Sequence, residues 1–345
     1  MLAAVERPCA LPAVGACSGV LPGSNGGGEL KAFRSATGTH GHMAAIELAG
    51  VEKRFGDIAA LRGLDLEVEE GEVFGFLGPN GAGKSTTINV LLDFVRPDSG
   101  RVEVLGRDAG TESVAIRERT GVLPEGFDVY DRLTAREHLR FAVESKDATE
   151  DPDDLLERVG LSDAAGRRAG GFSTGMRQRL ALAMALVGEP DLLILDEPSA
   201  GLDPNGAREM RELVREERDR GATVFFSSHI LGQVEAVCDR VGILREGELV
   251  AVDSVEGLRE RSGAETTLEI DVEALPDGAV EAAREVEGVS EVRVEGDSRL
   301  VVACEGDVKM AVLEALGSAG AEVEDFTTRE ASLEDLFAAY TEGSA

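Results

Sequence analysis

The stretch GPNGAGKST at 78–86 constrains this chain more than any other feature. An apolar run, EVFGFL (72–77), leads into it, and a helical pattern over about 84–94 follows. Glycines at 78, 81 and 83 let the backbone curl so that successive N–H groups converge on one point. A helix opening at that point adds its positive end. Lys84 contributes a point charge and Ser85 a hydroxyl, with Asn80 and Thr86 in the same loop. Strand, glycine loop and helix in this order form a cradle for a polyphosphate. Lys84 then serves the β- and γ-phosphates and Ser85 serves Mg²⁺.

The rest of the chain is read against that unit. Strand-like runs fall at 46–51, 72–77, 101–105, 191–196, 223–228 and 240–244, and helical stretches at 84–94, 134–144, 152–160, 175–187, 205–219 and 231–238. The runs at 192–195 and 223–226 are apolar without alternation, as expected of strands covered on both faces. The alternation predicts an α/β fold with a largely parallel sheet. Near 262–266 the period changes. The tail then reads strand (267–272), helix (278–286), strand (290–295), strand (299–304), helix (308–318), strand (321–326). That order predicts a small α+β ferredoxin-like module, and a last helix is expected at 332–340 with Ser332 as its N-cap.

DLLILDEP (191–198) is an apolar strand that ends in two acids. Asp196 is placed to hold Mg²⁺ and Glu197 to accept a proton from an attacking water; an acidic cap on a buried strand is the plainer alternative. His229 follows TVFFSS (223–228). A neighbouring parallel strand would bring it to the same sheet edge as Asp196 and Glu197, where it could orient that water. A solvated ring at a strand end is equally compatible with the spacing.

Composition narrows the partners. With 35 basic and 66 acidic residues the formal charge is −31, which disfavours nucleic acid, itself a polyanion, as a partner. Five basic residues are lysine (Lys31, Lys53, Lys84, Lys146, Lys309) and the others arginine. An acid-rich, lysine-poor chain suggests a protein kept soluble in high salt. No apolar run approaches the ~20 residues of a membrane-spanning helix. The four cysteines (Cys9, Cys17, Cys238, Cys304) have no metal-ligand spacing, which fits a reducing compartment. Residues 1–42 differ: two acids against three bases give +1, leaving −32 on the remaining 303 residues. The segment lacks a period and reads as a disordered extension or a mis-assigned start before Met43. VGAC ending at Cys17 evokes a lipoprotein signal, but Arg7, Pro8 and Pro12 interrupt the apolar region it requires. Three segments are thus expected: 1–42, a catalytic domain over 43–262 with a helical subdomain at about 134–180, and an accessory domain over 263–345.

In their order, these motifs resemble the nucleotide-binding subunits of ABC transporters, over about 46–260. Phe55 in EKRFGD matches the aromatic that stacks on adenine in that family. TGVLPEGFDVYDRLT (120–134) resembles the Q-loop region, FSTGMRQRLALA (172–183) the signature motif, and SAGLD (199–203) the D-loop. His229 matches the switch histidine. The resemblance implies a P-loop ATPase of the ABC type that binds ATP and Mg²⁺ and closes as a head-to-tail homodimer, or as a pair with a related ATPase. Ser173 and Gly175 would touch the γ-phosphate held by the partner, and Asp203 would bridge the interface. It also implies a separate integral membrane permease, with this chain peripheral on the cytoplasmic inner face of the cell membrane and its docking surface within roughly 134–165. Three departures stand out. Glu125 replaces the Q-loop glutamine and keeps an oxygen ligand for Mg²⁺, FSTGM replaces LSGGQ, and Phe55 replaces tyrosine. Together with VLPEG they resemble the ABC-2 exporter subgroup. Two other readings stay open: a soluble ABC ATPase acting on a translation or DNA-associated partner, and a nucleotide binder without turnover. The tail would serve dimerisation or packing, or else sense a ligand.

Overall fold

The computed structural model describes residues 43–262, 266–276, 278–296, 298–304 and 308–329. The segment 1–42 and the helix expected at 332–340 lie outside the described residues. In chain order the elements are β1 (Ala44–Phe55), β2 (Ile58–Glu69), β3 (Val73–Leu77), α1 (Lys84–Leu91), β4 (Ser99–Val104), β5 (Arg107–Asp108), α2 (Ala109–Glu118) and β6 (Thr120–Leu123). Then come α3 (Ala135–Ser145), α4 (Pro152–Arg158), α5 (Thr174–Ala185), β7 (Leu192–Asp196), α6 (Pro204–Arg220), β8 (Thr223–Ser228), α7 (Leu231–Glu235), β9 (Arg240–Arg245), β10 (Glu248–Asp253) and α8 (Val255–Ser262). The tail comprises β11 (Thr266–Val272), α9 (Ala279–Arg284), β12 (Val289–Glu295), β13 (Arg299–Cys304), α10 (Lys309–Ser318) and β14 (Val323–Arg329).

The central sheet has the order β10-β9-β3-β8-β7-β6. It is parallel except at β10, which turns back on β9. β3, β7 and β8 are buried along their whole length, as their unbroken apolar runs require. Their side chains alternate between two cores. Leu77, Leu193, Leu195 and Phe226 pack with Leu139, Leu155, Leu180, Met210 and Leu258 from α3, α4, α5, α6 and α8. Phe74, Phe76, Ile194 and Phe225 pack with Ile88 and Leu91 of α1 and with the second sheet. Gly75 lies where a Cβ would come 2.4 Å from Val234, so a helix can close on the strand only over glycine.

The second sheet, order β2-β1-β4-β5, is antiparallel. Sequence reading found part of β1 and β4 as strands, expected in a largely parallel sheet, but missed β2, whose buried Leu61, Leu64, Leu66 and Val68 form no apolar run. α2, β6, β10 and α8 were also missed. β6 is only four residues long, and α2 carries a break in its dihedrals at Glu112. α1 stops at Leu91 rather than 94, where Asp93 takes a positive φ of 54°.

The tail forms a third antiparallel sheet, order β12-β13-β11-β14, with its own core of Leu268, Ile270, Leu300, Val302, Val312 and Leu316. Two β-α-β halves with the first strand between the third and fourth make the expected ferredoxin-like arrangement.

Candidate active site

Leu77 ends β3 and the chain turns at Gly78 into the glycine loop. Gly81 and Gly83 have φ of 84° and 116°, a region that side chains avoid. A Cβ on Gly83 would stand 2.7 Å from the Ala60 carbonyl oxygen, and one on Gly78 would stand 2.6 Å from that of Leu244. The loop is therefore pressed against the chain on both sides. α1 begins at Lys84 with Gly83 as its N-cap, so no side chain caps its first N–H groups. They are left available to an anion. Lys84 is 7% exposed, and its Nζ donates to Gly78 O at 2.6 Å and to Pro79 O at 3.5 Å.

β8 lies between β3 and β7, so the residues that follow all three strands share one sheet edge. Asp196 is level with Ser227, whose hydroxyl donates to its carboxylate. Glu197 is 6% exposed and its backbone adopts a left-handed φ of 50°. Its N–H donates to Ser227 O at 3.1 Å. Ser228 Oγ donates to its Oε2 at 3.2 Å, and His229 Nδ1 lies 2.7 Å from its Oε1. The parallel neighbour thus brings His229 to Glu197, as the spacing allowed.

A cavity of about 460 Å³ opens over this edge. Asn80, Gly81, Gly83, Lys84, Ser85, Thr86, Glu125 and Glu197 line it, together with Arg62 and Glu246. A buried ammonium, a helix N-terminus and hard oxygen donors (the Ser85 hydroxyl and the Glu125 carboxylate) are the groups that a polyphosphate with a magnesium ion requires. Asp196, 5% exposed, sits beside Glu197 in the chain and is not part of the lining. Phe55 also falls outside the lining. It pairs with Ile58 at the tip of the β1–β2 hairpin, whose Ile58, Ala59 and Ala60 form the cavity wall. It is 49% exposed, with the Lys53 ammonium 5.5 Å from its ring centre.

Ser173, Gly175 and Asp203 line a different cavity of about 430 Å³ with Gly201 and Leu202. Within one chain they do not meet the phosphate loop. Two of them also have local work: Ser173 accepts from Met176 N–H as the N-cap of α5, and Asp203 accepts from Gly206 N–H as that of α6. Arg177 of α5 reaches back to the segment after Glu125, donating to Asp131 at 2.7 Å and Asp128 at 2.8 Å. The hydrogen bond to Asp131 leads in holding its guanidinium more firmly protonated than usual.

Sequence reading missed Ser227 and Ser228 as the groups that hold the two carboxylates. The available signal was a pair of serines closing an otherwise apolar buried strand, in register with Asp196 and Glu197. It also missed Gln178, which donates from α5 to Pro198 O at 2.9 Å. Arg62 and Glu246 had no signal, since neither belongs to a motif and only the fold brings them to the cavity.

Comparison with known proteins agrees with this geometry. Residues 61–200 match the ABC transporter family, and residues 254–341 match the C-terminal domain of DrrA1-3-like ATP-binding proteins. The chain is 38% identical over 301 residues to the daunorubicin resistance ATP-binding protein DrrA3 of Streptomyces coeruleorubidus, covering 85% of this chain and 94% of that protein. It is 40% identical over 221 residues to the Nod factor export ATP-binding protein I of Rhizobium sp. (strain N33), covering 63% and 73%. Among solved structures, the dimeric post-hydrolysis state of the ATP-binding cassette MJ0796 bound to ADP and Pi superposes with a TM-score of 0.57 at 25% identity, covering 61% of this chain and 98% of that one. Strand order, phosphate loop, acid-ended strand and near full-length relatedness lead to one conclusion: this chain belongs to the ATP-binding subunits of ABC transporters, and it is an ATPase.

Proposed function

We propose that this chain hydrolyses Mg-ATP to drive export through a separate membrane-spanning partner. The observation that carries the reading is the single cavity that joins Lys84, Ser85, Glu125 and Glu197. Relatives named for daunorubicin resistance and Nod factor export support the direction. Among the described residues no helix is long and apolar enough to cross a membrane, so in this reading another chain supplies the spans.

In this reading each residue has a role. The loop N–H groups and Lys84 bind the phosphates. Ser85 and Glu125, with Asp196 behind them, would hold a magnesium ion, which would supply charge neutralisation at the phosphate oxygens. Glu197 accepts the proton of the attacking water, and His229 orients that water. Phe55 stacks on the adenine once its ring turns from Lys53. Ser173, Gly175 and Asp203 act on the nucleotide of a second subunit, which gives their separate cavity a purpose. A dimeric relative bound to ADP and Pi supports that assembly.

The permease docks on an apolar groove of about 300 Å³ that includes Val122, Phe127, Phe141 and Met184. Phe141, on α3, is 61% exposed. Docking there sets the chain on the inner face of the cell membrane, in a high-salt cytoplasm that its charge suits.

The test is turnover by the full-length chain. Glu197→Gln is expected to abolish hydrolysis and to accumulate ATP-bound dimers, and Lys84→Ala to lose nucleotide binding. A Glu197→Gln protein with full turnover removes Glu197 as the base.

A further inference from the structure

Glu197 carries its carboxylate on a backbone in the left-handed region, φ 50°, without being glycine or asparagine. Such a residue persists only where its surroundings over-determine it. The bonds that hold this corner fall into two groups. Glu197 N–H to Ser227 O and Ala200 N–H to Glu197 O, at 3.1 and 3.0 Å, belong to the sheet edge and to the loop itself. The Ser199 hydroxyl meets Gln233 of α7, which follows the same edge. One bond comes from elsewhere: Gln178 Nε2 donates to Pro198 O at 2.9 Å.

Gln178 lies on α5, one and a half turns beyond Ser173, the residue that caps this helix and lines the second cavity. Pro198 has no N–H to offer, so its carbonyl is the backbone handle next to Glu197. A carbonyl can only accept, which fixes the amide of Gln178 with its nitrogen towards Pro198. A displacement of α5 by an ångström would stretch this bond and leave the sheet bonds untouched.

We infer that Gln178 is a positioning residue, coupling the placement of the signature helix to the orientation of Glu197. One chain's own base then responds to what occupies the cavity formed by Ser173, Gly175 and Asp203. This rests on the reading of Glu197 as the base. In the dimer it links two nucleotide sites through a single side chain, without contact between Gln178 and either nucleotide.

The test uses the full-length chain and Mg-ATP. Gln178→Met keeps the length of the side chain and removes the donor. It is expected to lose about tenfold or more in kcat while KM holds within about twofold, since misplacement of a reacting group costs turnover rather than binding. Its Hill coefficient for ATP is expected to fall towards that of independent sites. Gln178→Lys, which returns a donor, is expected to recover most of the loss. Gln178→Glu, of the original shape but without the N–H, stands in should the methionine variant not fold, and is expected to be as slow. A kcat for Gln178→Met near that of wild type, alongside an inert Glu197→Gln, overturns the inference and leaves the base in place. A lysine variant as slow as the methionine one also overturns it, because packing and not the donor would then be responsible. Full turnover by Glu197→Gln removes the base reading and this inference with it.

Discussion

At the scale of single residues, the site depends on backbone conformations that few side chains tolerate. Gly83 combines a φ of 116° with a carbonyl oxygen 2.7 Å from where a Cβ would be. Gly83→Ala is expected to lower stability by about 1–3 kcal/mol from strain alone, and to weaken ATP binding as the loop is pushed from Ala60. Urea denaturation with a nucleotide titration checks both, and a variant with wild-type affinity would show that the cradle is not set by this contact. The glycines, Lys84, Asp196, Glu197 and His229 were legible because their chemistry demands particular residue types at short, fixed spacings. Ser227, Ser228 and Gln178 were not, because serine and glutamine are common and their value here lies in register and in a contact between distant helices. Phe55 was expected against adenine from its motif alone, and its position outside the cavity lining depends on the β1–β2 hairpin, of which β2 was not anticipated.

At the scale of elements, caps decide where the helices begin. Thr134 and Glu137 form a reciprocal capping box at the start of α3, with Thr134 Oγ accepting from Glu137 N–H and the Glu137 carboxylate accepting from Thr134 N–H. The Thr134 N–H holds the Glu137 carboxyl below its ordinary 4.5. A carboxylate whose folded pKa is depressed adds stability above the unfolded value, and that contribution fades as the pH falls through the folded one. Glu137→Ala, which removes the carboxylate that accepts this bond, is therefore expected to destabilise the protein near neutrality, with a smaller penalty in acid below pH 4.5. Denaturant titrations of both proteins at the two pH values test this; a penalty that grows in acid would contradict it. The α/β alternation was legible because β3, β7 and β8 are uniformly apolar and several helices between them, α3 to α6, have side-chain caps. The second sheet was less so, since β2 alternates leucines with charged residues and carries no apolar run.

At the scale of the whole molecule, charge and partner matter most. A formal −31 on 345 residues is self-repulsion that salt must screen. The melting temperature is expected to climb steadily from low salt into molar KCl, and a value indifferent to KCl would remove the high-salt reading. The tail was legible as a strand and helix order, and its sheet follows that order, because its two inner strands, β11 and β13, alternate more and less buried residues over a core of their own. Its purpose was not legible, since its residues carry no chemical motif. The central claim is that this ATPase works for a membrane partner, and purification from native membranes tests it most directly. The tagged chain is solubilised gently in high salt with Mg-ATP, and the proteins that accompany it are identified. A stoichiometric polytopic membrane protein is the predicted result, and its sequence leads to the cargo. Ribosomal proteins, nucleic acid, or a soluble dimer alone would contradict the account.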